Sequence, residues 1–561
     1  MWNMKALLTM APFWDPYCPP LGITSLQAYL KQRGHDVAIF DYNTDKQLWH
    51  QYRAYFEYLQ QLLPQARGWN IMRVGPDYFS RHLMAWFSLR EEPKRYAELS
   101  RLILNIDERH DLDPAQFSPL DQIFDAIWAR IIELTDAQLA KHQPDVLGCT
   151  LLSSTLPASL HILKRAKTLN PNVRTVLGGP GPIMGAGADS PDTHRLLDRC
   201  SWIDNLVIGE GELLLDGLMR DAFPRRRIIS LRDVPQILDL VEIAKPSRQG
   251  LVQDISQLPT PDYTGLDARS YTNLSVGVTR GCAYKCSFCY ETTYWKTYRK
   301  RPIDFALRDL ETLRLRYDRT HFFLCDSLVN FFAGELADGV LERRLDVKWD
   351  AYLRADKELL DRKYVDHLAE GGMVRARLGL ESADTDTLNL MNKSMSVDQM
   401  GKVLENLAAA GIQTSTLWIV GFPEEDERAF QHSLDFLAEF KDSIYCADPW
   451  QFIFHPTVGS EPVFGRLVAS ESFEARYGMR RLYPEEFDDA LLVQYHELNI
   501  PDVVPMKIDR IERMCALMET AGIPNPYNLR EWRAANRRWE QLHPRRAKVA
   551  PVAALTARPH K

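Results

Sequence analysis

Three cysteines, Cys282, Cys286 and Cys289, fall close together in the stretch Ser275-Val-Gly-Val-Thr-Arg-Gly-Cys-Ala-Tyr-Lys-Cys-Ser-Phe-Cys-Tyr-Glu291. Thiolates at a C-x3-C-x2-C spacing can all face one small inorganic centre from a single loop. On a cube of four irons, three of them leave one iron without a protein ligand. An open coordination position of that kind separates a catalytic metal site from a closed structural one. Phe288 and Tyr290 supply apolar cover for a redox centre. A zinc site would call for a second C-x2-C pair or a nearby His pair, and the local sequence offers neither.

The cysteine loop follows a short apolar run. From Ser275 onward such runs alternate with amphipathic helices, which is the signature of repeated β-α units. Helix 303–317, strand 320–327, strand 347–354, helix 357–370 and strand 375–382 come in turn. The next helix opens on the capping pair Ser396 and Gln399, shows one apolar face of Met400, Val403, Leu404 and Leu407, and ends at Gly411. Strands 414–423 and 450–455 complete six units. Six parallel units predict a partial barrel over 266–465, open on one side, with its site at the C-terminal strand ends. Asp326, Arg354, Glu381 and the run Pro423-Glu-Glu-Asp426 each follow a strand. A bidentate Arg–carboxylate pair and a carboxylate–ammonium pair would together orient an amino acid. The plain alternative is that these are structural charges at loop starts.

Residues 1–220 predict an α/β doubly wound sheet carrying a helical insertion at 44–143. Lys5–Phe13 reads as a buried strand, a helix follows with Leu26, Tyr29 and Leu30 on one face, and Val37–Asp41 is the next strand. The sheet resumes at Asp145–Leu152, followed by helix 157–169, strand 175–177 and Gly178-Gly-Pro-Gly-Pro182. Strand 202–208 then ends at Gly209-Glu-Gly-Glu212. Open sheets of this kind bind ligands at the C-terminal strand ends. Gly178 and Gly179 let a bulky group approach the backbone or simply turn the chain. Residues 221–265, with Pro259 and Pro261, read as an interdomain linker. Residues 466–543 read as a helical domain, with helices over 472–495 and 507–520, and 544–561 as a flexible tail.

The chain has 561 residues, 45% of them hydrophobic and 25% charged, with a net charge of -7. That balance gives no basic footprint for nucleic acid, and no apolar run reaches the ~18 residues of a membrane span. The N-terminus runs straight into a strand with no charged-then-apolar leader. Nine cysteines, an odd number and mostly scattered, point to a reducing, cytoplasmic compartment.

The cysteine spacing resembles that of the radical S-adenosylmethionine (SAM) enzymes. Pro19-Pro-Leu-Gly22, Thr150-x-Leu152, Gly178-Gly179 and Gly-Glu-Gly-Glu212 resemble the cobalamin-binding domain attached to one large class of them. The resemblance implies a [4Fe-4S] cluster on Cys282, Cys286 and Cys289, with SAM at the unique iron. It places Arg354 at the SAM carboxylate and Glu381 at its amino group or ribose, with Asp326 and Tyr290 nearby. Thr150, Leu152, Gly178 and Gly179 would line the slot for the cobalamin nucleotide tail. Many cobalamin domains carry Asp-x-His-x-x-Gly after the first strand. Here that loop is Trp14-Asp-Pro-Tyr-Cys-Pro-Pro-Leu-Gly22, so cobalt would have no histidine beneath it. The resemblance further implies methyl transfer to an unactivated carbon of a natural product or peptide-derived substrate, with an external electron donor such as flavodoxin or ferredoxin. Cyclisation or rearrangement on the same domains is the alternative. Another is methylthio transfer with a second cluster, to which Cys18, Cys149 and Cys200 would be relevant.

Overall fold

The computed structural model describes residues 4–14, 17–62, 75–105, 112–179, 188–237, 252, 254–289, 291–295, 297–454, 468–524 and 529–543. Tyr290 and the stretch 544–561 lie outside the described residues.

The first module alternates β1 (Lys5–Met10), α1 (Leu21–Gln32) and β2 (Asp36–Asp41), then gives four helices, α2 (Lys46–Leu62), α3 (Gly75–Leu89), α4 (Pro93–Leu104) and α5 (Ser118–His142). The sheet resumes with β3 (Val146–Thr150), α6 (Leu156–Leu169), β4 (Arg174–Gly178), α7 (Pro191–Arg199), β5 (Asn205–Ile208), α8 (Gly211–Met219) and β6 (Arg227–Ser230). All six strands are parallel, in the order β2-β1-β3-β4-β5-β6. The order reverses between β1 and β3, so the crevice of this doubly wound sheet opens beyond the ends of those two strands. The inserted helices stay in place through an aromatic core. Tyr55, Phe79 and Phe124 are completely buried and pack edge-to-face or stacked against one another.

The second module comprises β7 (Leu274–Val276), β8 (Thr279–Arg280), α9 (Glu291–Trp295), β9 (Arg299–Lys300), α10 (Ile303–Tyr317), β10 (His321–Leu324), α11 (Ala333–Glu342) and β11 (Lys348–Leu353). It continues with α12 (Arg362–Glu370), β12 (Met373–Glu381), α13 (Thr385–Leu390), α14 (Val397–Ala409), β13 (Gln413–Val420), α15 (Glu427–Glu439) and β14 (Cys446–Gln451). Six parallel strands in the order β14-β13-β12-β11-β10-β7 form the open barrel wall.

Two readings from sequence need correction. The stretch 221–265 is not wholly a linker: Arg227–Ser230 pairs with β5 as the last strand of the first sheet, because Ile228-Ile229 is just long enough to extend the ladder. Nor is 466–543 wholly helical. After α16 (Val468–Tyr477), Gly478 at φ +68 turns the chain into β15 (Met479–Arg481). A short α17 (Asp488–Leu491) then leads to β16 (His496–Leu498), antiparallel to β15. Helices α18 (Val503–Ala521) and α19 (Leu529–Leu542) follow.

The segment between β1 and α1 joins the modules. Thr272 and Asn273 donate backbone N–H to Tyr17 O at 3.0 and 3.2 Å, and Ser275 Oγ donates to Pro19 O at 2.6 Å, so this segment lies along β7. The Tyr17 ring enters the barrel, where its hydroxyl donates to Asp350 Oδ2 at 2.6 Å and its face lies 4.7 Å from the Arg377 guanidinium. Asp350 is completely buried and also accepts from Arg377 at 3.0 Å, so its charge is paired.

Candidate active site

The cysteine loop hangs from two fixed points. At its start, Asp326, just past β10, accepts from the backbone N–H groups of Val278 at 3.0 Å and Thr279, and from Thr279 Oγ1 at 2.6 Å. Asp326 is 1% exposed, and burial raises its carboxyl to about 6 against the pull of those donors. Gly281 then turns at φ +82, where a Cβ would stand 2.5 Å from Thr297 O, so only glycine fits. At the far end, Ser287 N–H and Oγ donate to Met391 O and Leu390 O at 3.0 and 2.9 Å, and Asn392 Nδ2 donates to Lys285 O at 2.8 Å. The residues around the end of α13 therefore grip the loop's middle.

None of the three cysteines is in a disulfide, and each is partly accessible. Burial raises the thiols of Cys282 and Cys289, the latter to about 12, so these sulfurs favour the anionic form only beside a strong cation. Among the described residues no three His, Cys, Asp or Glu side chains converge on the position of one ion. Soft thiolate donors spread along one loop suit the separated irons of a cluster, and the donor set fits that group.

Arg354 follows β11 and is 4% exposed. Its guanidinium lies 3.8 Å above the Tyr284 ring, Nε is 3.1 Å from Asp356 Oδ1, Nη2 donates to Lys393 O, and Nη1 is 3.8 Å from Cys286 Sγ. Tyr284 closes the arrangement by donating to Asp356 Oδ2 at 2.9 Å. A fixed positive charge thus sits beside one of the sulfurs. Glu381 ends β12 at φ +69, a costly conformation for a residue with a side chain, and its Oε1 stands 3.2 Å from Lys393 Nζ. Burial raises its carboxyl and Lys393 opposes this. Arg354, Glu381 and the cysteine loop are thus linked through Lys393 and Cys286, whereas Asp326 serves the backbone that delivers the loop.

At the end of the first sheet, Thr150, Leu152, Gly178 and Gly179 are each part-open. Leu151 N–H donates to Gly178 O at 2.9 Å, and a Cβ on Gly179 would stand 2.6 Å from Leu151 O. Gly179 is therefore demanded by the close approach of two strand ends. Beyond β1, Phe13 adopts φ +78, and Trp14 beside it is 46% exposed.

Sequence reasoning missed the contacts that hold the modules together. Glu210, 6% exposed, pairs with Arg280 at 3.3 Å and Arg299 at 2.5 Å, and accepts from Val252 N–H at 3.0 Å; Glu212 also pairs with Arg280. Arg280 is two residues before Cys282, so the Gly-Glu-Gly-Glu motif of the first module is tied directly to the cysteine loop. A motif of acids beside glycines was the available signal, but its basic partners lie some 70 to 90 positions away. Replacing Glu210 by Ala leaves Arg280 and Arg299 buried with fewer counter-charges. The expected cost is about 3–5 kcal/mol, read as a lowered chemical-denaturation midpoint, with Glu210→Gln intermediate.

Residues 276–437 match the family model of the Radical SAM superfamily. The chain is 26% identical over 328 residues to the anaerobic magnesium-protoporphyrin IX monomethyl ester cyclase of Rubrivivax gelatinosus, covering 55% of this chain and 57% of the relative. It is 31% identical over 306 residues to the bacteriochlorophyllide d C-12(1)-methyltransferase of Chlorobaculum tepidum, covering 53% and 60%. It spans little more than half the length of the curated relatives it matches. In fold it is similar to the radical S-adenosylmethionine methyltransferase TsrM of Kitasatospora setae, with a TM-score of 0.58 and 14% identity over 96% of this chain and 99% of that one.

Proposed function

We propose that this chain, a member of the radical SAM superfamily through residues 276–437, is a cobalamin-dependent enzyme that methylates an unactivated carbon. The observation that carries the reading is the staging of two crevices around one clamp. The cysteine loop at the barrel mouth and the strand ends of the first sheet are tied together by Arg280, Glu210 and Glu212. When bound, the cluster supplies an electron for SAM cleavage and cobalamin supplies a methyl carrier; this is the hard chemistry that the protein positions.

The residues divide the work of positioning. Cys282, Cys286 and Cys289 would hold the cluster, and Asp326 and the 390–392 turn fix their loop. Arg354 sets a positive charge beside Cys286 and would pair with the carboxylate of a bound SAM. Glu381, neutralised by Lys393, offers an acceptor to an ammonium or ribose hydroxyl. Thr150, Leu152, Gly178 and Gly179 would border the nucleotide tail. The substrate would be a small molecule or a peptide, with reducing equivalents from a flavodoxin- or ferredoxin-like donor in the cytoplasm. No helix among the described residues is long and apolar enough to cross a membrane.

A methylthiotransferase would need a second cluster. Cys149 and Cys200 are 3% and 1% exposed within strand and helix packing, and Cys149 meets Thr9 Oγ1 at 3.1 Å, so neither faces a crevice.

The test is anaerobic turnover. Methyl transfer yields S-adenosylhomocysteine alongside 5′-deoxyadenosine, while cyclisation or rearrangement yields 5′-deoxyadenosine without S-adenosylhomocysteine; the second outcome defeats the methyl assignment. A separate prediction concerns the loop from Trp14 to Gly22, whose sequence contains no histidine to ligate cobalt. The paramagnetic cob(II)alamin form is expected to show no nitrogen superhyperfine splitting from a protein ligand, and a splitting would show that some other nitrogen lies beneath cobalt.

A further inference from the structure

Phe331 and Phe332 stand side by side in the loop after β10, yet Phe332 is buried and Phe331 is 50% exposed. The neighbouring Asn330 fixes this arrangement. Its Nδ2 donates to Arg354 O at 3.0 Å, and its Oδ1 accepts from Arg354 N–H at 2.9 Å. The exposed ring is itself held in place. It stacks on Tyr284 with ring centres 5.8 Å apart and planes at 20°, and meets Tyr298 edge-on at 6.0 Å. Single exposed apolar side chains are common on any protein. Phe331 differs in what lies behind it.

From Tyr284 the contacts run inward to the site. The Arg354 guanidinium lies 3.8 Å from the Tyr284 ring centre, and its Nη1 is 3.8 Å from Cys286 Sγ. Phe331 is thus three contacts from a sulfur of the cysteine loop, through Tyr284 and Arg354. Further along that loop, Ser287 Oγ donates to the backbone of Leu390, whose side chain is exposed. Lys285, between Tyr284 and Ser287, is exposed as well. The loop and its immediate supports therefore present an aromatic ring, a leucine and an ammonium to solvent. A cluster on this loop needs an electron from outside the chain for SAM cleavage, and that transfer requires close approach.

We propose that this face, centred on Phe331 with Leu390 and Lys285 beside it, is the docking site of the electron donor, and that the donor is an acidic flavodoxin whose exposed flavin edge packs on the Phe331 ring. One electron passes from the reduced flavin to the cluster, oxidising the flavin by one electron and reducing the cluster by one, and no atom is transferred. A small aromatic centre suits such an encounter, because weak electron-transfer complexes bury less than about 1,200 Å². Lys285 complements acidic side chains around the flavin and steers the approach. The proposal rests on the enzymatic reading above and assigns its donor a surface.

The experiment compares two reductants on anaerobic holoenzyme supplied with SAM, reading 5′-deoxyadenosine formation. One is a purified bacterial flavodoxin kept reduced by its NADPH-dependent reductase; the other is titanium(III) citrate, which needs no docking site. Phe331→Glu is expected to raise the flavodoxin concentration for half-maximal rate by at least about tenfold, the loss of a central aromatic contact. Its titanium(III)-driven rate should not change. Leu315→Glu replaces an exposed apolar side chain near the end of α10, where β10 begins at the opposite end of the barrel, and should change neither rate. Iron content and melting temperature check folding, and Phe331→Ser repeats the test without a charge if the first variant loses its iron. Equal losses with both reductants, an unchanged flavodoxin response, or failure of reduced flavodoxin to drive the unaltered enzyme overturns the proposal. So does a dimer, seen by light scattering, that Phe331→Glu dissolves, since a second copy then covers this face. Such failures leave titanium(III)-driven SAM cleavage intact, whereas failure of the enzymatic reading abolishes it.

Discussion

Replacing Cys286 by Ala is expected to abolish SAM cleavage, with the rate of 5′-deoxyadenosine formation falling by at least about a thousandfold. Two thiolates cannot hold the cluster at three corners, so the purified variant should also lose most of its iron. Cys286 has the sharpest effect of the trio because Arg354 faces it at 3.8 Å and the adjoining Ser287 is gripped by Leu390 and Met391. Iron content and 5′-deoxyadenosine by chromatography check this. A Cys286→Ala protein that retains iron and cleaves SAM would remove the basis for the site.

Arg354→Lys is expected to have the second largest effect, and a different one. Lysine keeps the charge but loses the planar fork that stacks on Tyr284 while reaching Asp356, Lys393 O and Cys286 together. The loop remains held by Asp326 and the 390–392 turn, so the cluster should assemble. SAM affinity should fall by about 10- to 100-fold, the worth of a lost bidentate charge-assisted contact of roughly 1.5–3 kcal/mol. Titration of SAM into the reconstituted variant, with iron measured in parallel, separates this from simple loss of the cluster. Unchanged SAM affinity would restrict Arg354 to propping the loop.

The parts of this molecule that could be read from its sequence are those whose partners are close in sequence. Cys282, Cys286 and Cys289 share one loop, and the β-α alternation that builds both sheets repeats over short windows, so both features were legible. Gly178 and Gly179 were also visible, although their tight approach to Leu151 shows that chain packing alone requires the second of them. Partnerships across the fold were not legible. Tyr17 meets Asp350 across 333 positions, and nothing around either residue announces the other. Asp326 was found because it follows a strand, but only the structure shows its oxygens spent on Val278 and Thr279. The β15–β16 hairpin escaped because strands of three residues give too few positions for alternation to show, and apolar neighbours such as Leu482 and Leu491 mimic helical spacing.

The central claim is that three thiolates grip a cluster and leave one iron open to SAM. Electron paramagnetic resonance of the anaerobically reduced protein, recorded before and after adding SAM, tests it most directly. The account expects a reduced cluster signal whose g values shift when SAM binds the open iron. A signal that SAM leaves unchanged, in protein containing about four irons per chain, would contradict it.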